Sequence, residues 1–156
     1  VGDLASFERE LLAFEKQIEL EVGNVTVAMA TILFAKIVSR TPFYTGRARS
    51  SWQISIGNMN KAINAPGKYP QYADPTAAYA LAIAEARRIL ADYPPRVFGR
   101  PPIYITNRLR YIPFLERGTS KIKPYAMVSL SVAEVNVQFG HVTARTSSLG
   151  ALGVTI

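Results

Sequence analysis

The residue types that do chemistry are sparse in this 156-residue chain. Cysteine is absent, which excludes disulfides, a thiolate nucleophile and thiolate metal sites. Histidine occurs once, at His141, beside a Gly-, Ser- and Thr-rich stretch, so a Ser–His–Asp arrangement would depend on a single, poorly anchored base. The acids after residue 39 are Asp74, Glu85, Asp92, Glu116 and Glu134. They are scattered singly, without the spacing of a metal-ligand set or of a paired general acid and base, and read as caps and surface charges. Gly118-Thr119-Ser120-Lys121 resembles the end of a phosphate loop, but the required G-x-x-x-x-G-K-[ST] is missing. The expectation is a protein that is not an enzyme, with no catalytic residue, no cofactor and no metal.

Charge and aromatic surface remain. Through Ser39 the chain carries a net −3, and from Arg40 onward a net +10, so its two parts have opposite sign and suit self-assembly or a partner of mixed charge. In the stretch Arg96 to Lys123, the bases Arg96, Arg100, Arg108, Arg110, Arg117, Lys121 and Lys123 are interleaved with Tyr104, Tyr111 and Phe114, and Tyr125 follows. Such a mixture fits a DNA-binding module, in which cations neutralise phosphates and rings stack on bases. No helix-turn-helix, zinc-finger or RNA-recognition signature accompanies it, and its prolines fit a rigid protein interface equally well.

The elements that must position these residues follow from periodicity. With 49% hydrophobic and 19% charged residues, the chain has the composition of a folded domain. Leu4, Phe7, Leu11, Phe14, Ile18, Val22, Val25, Met29 and Ile32 recur every three or four residues, predicting a long helix that stops before Pro42 and either projects beyond the body or, the preferred reading, breaks or kinks near Gly23-Asn24. Alternation predicts a strand over Ser51 to Ile56, with Trp52, Ile54 and Ile56 on one side, and another at Ile103 to Thr106. Asn58 to Ala73 reads as an extended loop, and Asp74-Pro75 as the cap of a helix over Thr76 to Ala91. Asn107 to Lys123 reads as a loop, and Pro124 opens a further helix to about Phe139, with a strand as the alternative because of its β-branched residues. The result is an α+β domain over residues 1–139, a long N-terminal helix packed on a small antiparallel sheet with two further helices, followed by a flexible tail over 140–156. No signal peptide is recognised at the start, and Val25 to Val38, the most apolar window, is shorter than the roughly 20 residues a bilayer span needs, so no membrane association is expected.

Three segments carry a resemblance. Thr41-Pro42-Phe43-Tyr44-Thr45-Gly46-Arg47-Ala48-Arg49-Ser50-Ser51-Trp52 is followed some fifty residues later by Ile103-Tyr104-Ile105-Thr106-Asn107 and by Tyr111-Ile112-Pro113-Phe114-Leu115-Glu116-Arg117-Gly118-Thr119-Ser120. In order and spacing, from about Leu4 to Phe139, the chain resembles the tail-component and tail-completion proteins of long-tailed phages, including the minor tail protein Z type of lambda-like phages. The family pattern is a long N-terminal helix, T-P-x-x-T-G-x-x-x-x-S/N-W, a Tyr-x-Pro-x-x-Glu-x-Gly-Ser/Thr-Ser element and a helix. Phe43-Tyr44 departs from it, standing where relatives carry a small residue and an acid.

The resemblance implies a non-enzymatic virion structural protein of the phage neck or tail end, serving tail completion or head-tail joining and assembled in the host cytoplasm. Its implied partners are copies of itself in a ring, six by the resemblance, and neighbouring neck, terminator or tail-tube proteins, with DNA passing through the lumen. Arg47 and Arg49, expected to alternate on the strand entering at Gly46, together with Tyr111, Phe114, Glu116, Arg117 and Tyr125, are the candidate subunit-interface residues, since Arg and aromatic side chains concentrate at interfaces.

Overall fold

Thr26, Met29, Ala30, Leu33, Phe34, Ile37, Val38 and Thr41 recur at three- and four-residue intervals and all are buried, as one stripe of a helix laid on a core must be. The computed structural model describes residues 4–44, 46–59, 74–95, 99–139, 143–146 and 152–156. The stripe is the second half of helix α1, Leu4–Arg40, which runs unbroken through Gly23. The expected break is therefore corrected. Gly23 serves close approach instead: a Cβ there would lie 3.4 Å from the Cα of Pro95, where the chain leaving α3 (Pro75–Leu90) crosses α1.

Helix α3 starts as its sequence requires, with Pro75 in the first turn and the Asp74 side chain accepting from the Thr76 N–H. Its stripe of Ala78, Ala82, Ala86 and Leu90 is buried, and the small side chains let it lie close to α1. Helix α5, Met127–Phe139, buries Met127, Val128, Ser131, Val132 and Val135 and also packs on α1. It begins three residues after Pro124, not at it. Between α1 and α3 the chain makes a single helical turn, α2, Arg47–Ser50, and after the second strand a short helix α4, Ile112–Arg117. Both correct the expectations of a strand entering at Arg47 and of a plain loop over 107–123.

The class is α+β. Strands β1 (Gln53–Ile56), β2 (Ile103–Asn107), β3 (Thr143–Thr146) and β4 (Leu152–Thr155) form one antiparallel sheet in the order β1-β2-β4-β3. Pairing of Ile54 with Ile105, and of Ile105 with Val154, lines up three buried side chains across the sheet toward the helices. In the segment expected as a tail, the described residues form β3 and β4; β4 is an inner strand and Val154 belongs to the core. Most of the predicted loop over 58–73 lies outside the described residues, as do Arg96 and His141.

By length and composition the stretch Glu8–Arg40 is apolar enough to cross a membrane, with a window of mean hydropathy 1.6, beyond what the shorter window Val25 to Val38 suggested. Its second half is nonetheless committed to the core. The first half is not: every described side chain over residues 8–17 is exposed, Leu11, Leu12 and Phe14 among them.

Helices α1 and α5 are also joined at the surface, where Glu134 accepts from Lys36 Nζ at 2.6 Å and from Arg40. These bonds, Lys36 first, hold the Glu134 carboxyl below its ordinary pKa. A lowered folded-state value stabilises the fold above the unfolded value, and the contribution disappears as pH falls through the folded one. Glu134→Gln is therefore expected to lower stability slightly at neutral pH and to flatten the acid limb of the stability curve. Parallel denaturation curves for the two proteins across the acid range would contradict this.

Candidate interaction groove

The first motif segment is a closure for the C-terminal end of α1. The Thr41 hydroxyl donates to the Ile37 carbonyl at 2.8 Å and accepts from the Trp52 indole N–H at 2.7 Å, so one buried side chain ties the helix end to the start of β1. Gly46 has φ of +80°, the left-handed region open to glycine, and a Cβ there would press on the Phe43 ring at 3.1 Å. That turn swings Arg49 back over the helix end. Its guanidinium donates to the Thr41 carbonyl at 2.8 Å and the Ser39 carbonyl at 3.3 Å and stands 5.4 Å from the Phe43 ring centroid. A cation is favourable at this pole of the helix dipole. Arg49, a candidate interface residue, is thus bonded to carbonyls of its own chain, and its partial burial lowers its pKa.

The third motif segment closes the N-terminal end of α5. Glu116 is buried, and its two carboxylate oxygens accept from the backbone N–H groups of Val128 and Ser129, each at 2.9 Å. It caps a helix that begins eleven residues later, at the pole where an anion is stabilising. Gly118 ends α4, and the chain doubles back so that Tyr125 N–H donates to the Leu115 carbonyl and Ala126 N–H to the Glu116 carbonyl. Asn107 joins the two segments: its amide donates to the Ala48 carbonyl and its oxygen accepts from Leu109 N–H, both buried.

Between the two closures lies a mainly apolar groove of about 490 Å³, lined by Pro42, Tyr44, Arg47 and Ala48 from one side and Tyr111, Leu115, Ile122 and Tyr125 from the other. Of the residues singled out from sequence, Arg47, Tyr111 and Tyr125 meet here. Phe114 stands on α4 with 60% of its surface exposed, and Arg117 is exposed at the end of that helix. Arg49 and Glu116 do not line it; they hold the two helix-end closures on either side. Partial burial raises the pKa of Tyr111, against the opposing effect of Arg47. Tyr44, Leu115 and Ile122 were not singled out as site residues; Tyr44, 93% exposed, belongs to the Phe43-Tyr44 pair at which the sequence resemblance fails.

Four of the five acids after residue 39 have structural work. Asp74 caps α3, Glu85 accepts from Arg88, Glu116 caps α5 and Glu134 bridges to α1. Among the described residues no three of His, Asp and Glu gather as a metal site would require. No family model, no curated protein and no solved structure matches the chain.

Proposed function

We propose that the chain is a non-enzymatic structural subunit of the neck or tail end of a long-tailed phage, working in a ring of its own copies, six by the resemblance, in contact with neighbouring virion proteins. The observation that carries the reading is the groove. Two of the three segments bearing the resemblance close two helix ends and leave exposed aromatic and aliphatic surface between them, an arrangement suited to a protein partner and poor in groups for turnover. Exposed Phe114 beside it is the natural anchor. Phe114→Asp is expected to leave the thermal transition of the isolated chain within about 0.5 kcal/mol of the parent, as surface changes do, and to abolish incorporation into particles. Normal incorporation would remove Phe114 from the interface, and a reconstruction lacking ring symmetry at this subunit would sink the ring.

The exposed bases Arg110, Arg117, Lys121 and Lys123, next to Tyr111 and Tyr125, favour a second reading, a DNA-binding module. Phosphate contacts weaken steeply with salt. Low-nanomolar binding of duplex DNA at physiological salt, falling steeply as salt rises, would put that reading first.

A further inference from the structure

The molecule holds two unpartnered apolar features of opposite charge. One is the first half of α1. Leu11, Phe14 and Ile18 follow one another at three and four residues, the spacing of a helix that seats side chains in a facing groove. Leu11 and Phe14 are 53% and 61% exposed, and Leu20 and Val25 continue the exposed apolar surface. Around them stand Glu8, Glu10, Glu15 and Glu21 against Arg9 and Lys16. The other is the groove of Tyr44, Tyr111, Leu115, Ile122 and Tyr125, flanked in the chain by exposed Arg110, Lys121 and Lys123. The single acid between residues 107 and 125, Glu116, is buried in its bonds to α5.

We infer that the acidic first half of α1 from one copy docks in the basic-rimmed groove of the next, with Leu11 and Phe14 as the seated side chains. The inference rests on the ring-subunit reading and names its contact. Charge complementarity selects a second copy as the occupant. Geometry forbids the same copy: the groove begins at Pro42, just past the far end of α1, and an unbroken helix from Phe14 to Arg40 separates the two by about 40 Å at 1.5 Å per residue. A contact joining two different surfaces is head-to-tail, the kind that closes into a ring when the rotation allows.

A chain without cysteine permits a direct test. Gln17→Cys lies beside Phe14 without removing a seated side chain, Ser120→Cys lies beside the groove, and Ala80→Cys on exposed α3 is the control. Each is purified separately, and pairs are mixed and oxidised at the highest soluble concentration. The 17–120 disulfide is expected to form at least about tenfold faster than the 17–80 disulfide, because docking raises the local concentration of the two thiols. Adding Leu11→Glu and Phe14→Glu to the Gln17→Cys chain should erase the difference. Equal rates for the two pairs overturn the inference. So does protection of the Gln17→Cys thiol by zwitterionic vesicles in place of a second copy, which would make α1 a lipid-facing helix. The ring reading fails separately: a ring in particles without the 17–120 link removes the docking alone, and the link without a ring in particles removes the ring alone.

Discussion

Truncation after Phe139 is expected to abolish cooperative folding. The segment removed supplies β3 and β4, and β4 is the partner of β2 in the middle of the sheet. Ile103 and Ile156 exchange backbone hydrogen bonds at 3.0 and 3.2 Å, and Val154, 1% exposed, lies beside Ile105 in the core. Burying a valine is worth about 1.5 to 3 kcal/mol and each hydrogen bond about 0.5 to 1.5 net. Their loss together is comparable to the roughly 5 to 15 kcal/mol that holds an ordinary domain. The unpaired β2 edge would also favour aggregation. Val154→Asp alone should reproduce much of the loss, since it buries a carboxylate in the core. A truncated chain that keeps a sharp thermal transition near that of the parent would contradict the placement of β4.

That segment shows where sequence reasoning stops. Leu152, Val154 and Ile156 alternate with Gly153 and Thr155, the period of a half-buried strand, yet the surrounding Gly, Ser and Thr residues read as a tail. A four-residue strand draws its stability from a partner, and β2 lies some fifty residues away, outside any local window. The local signals were legible. Asp74-Pro75 started α3, Pro42 followed the end of α1, and alternation located β1 and β2, because cap, proline and pleat act within a few residues. Arg47 and Arg49 show the opposite case. Their spacing of two suited a strand, but Gly46 turns the chain into one helical turn that Ser51 closes by donating to the Arg47 carbonyl at 2.6 Å. Arg47, Tyr111 and Tyr125, singled out by residue type, meet in the groove. Glu116 was legible only as one of several acids suited to caps or surface charge; which helix it caps was not, because the N–H groups it satisfies follow a loop of nine residues and are invisible to a rule that looks one turn ahead.

Gly118→Ala and Glu116→Gln should each unseat that loop, by different physics. Gly118 has φ of +75° and ψ of 177°, a combination essentially reserved for glycine. A Cβ there would stand 2.7 Å from the Ile122 carbonyl oxygen and 2.8 Å from the Pro124 nitrogen, both backbone atoms that a rotamer change cannot move aside. Strain of about 1 to 3 kcal/mol adds to that overlap, so a loss of about 3 kcal/mol or more is expected. Glu116→Gln keeps the shape but offers one acceptor where two backbone N–H groups converge, and turns an N–H₂ toward the other. Losing a charge-assisted bond and leaving a buried donor facing a donor is expected to cost about 2 to 4 kcal/mol. Hydrogen exchange separates the causes: Glu116→Gln should speed exchange first at Val128 and Ser129, whereas Gly118→Ala should first expose Thr119 and Tyr125, whose N–H groups donate to Ile122 and Leu115. Because both substitutions act on one loop, the double variant should lose less than the sum of the two. Strict additivity would mean that the loop over 118–126 and the cap on α5 are independent, and the groove wall at Ile122 and Tyr125 would then owe nothing to Glu116.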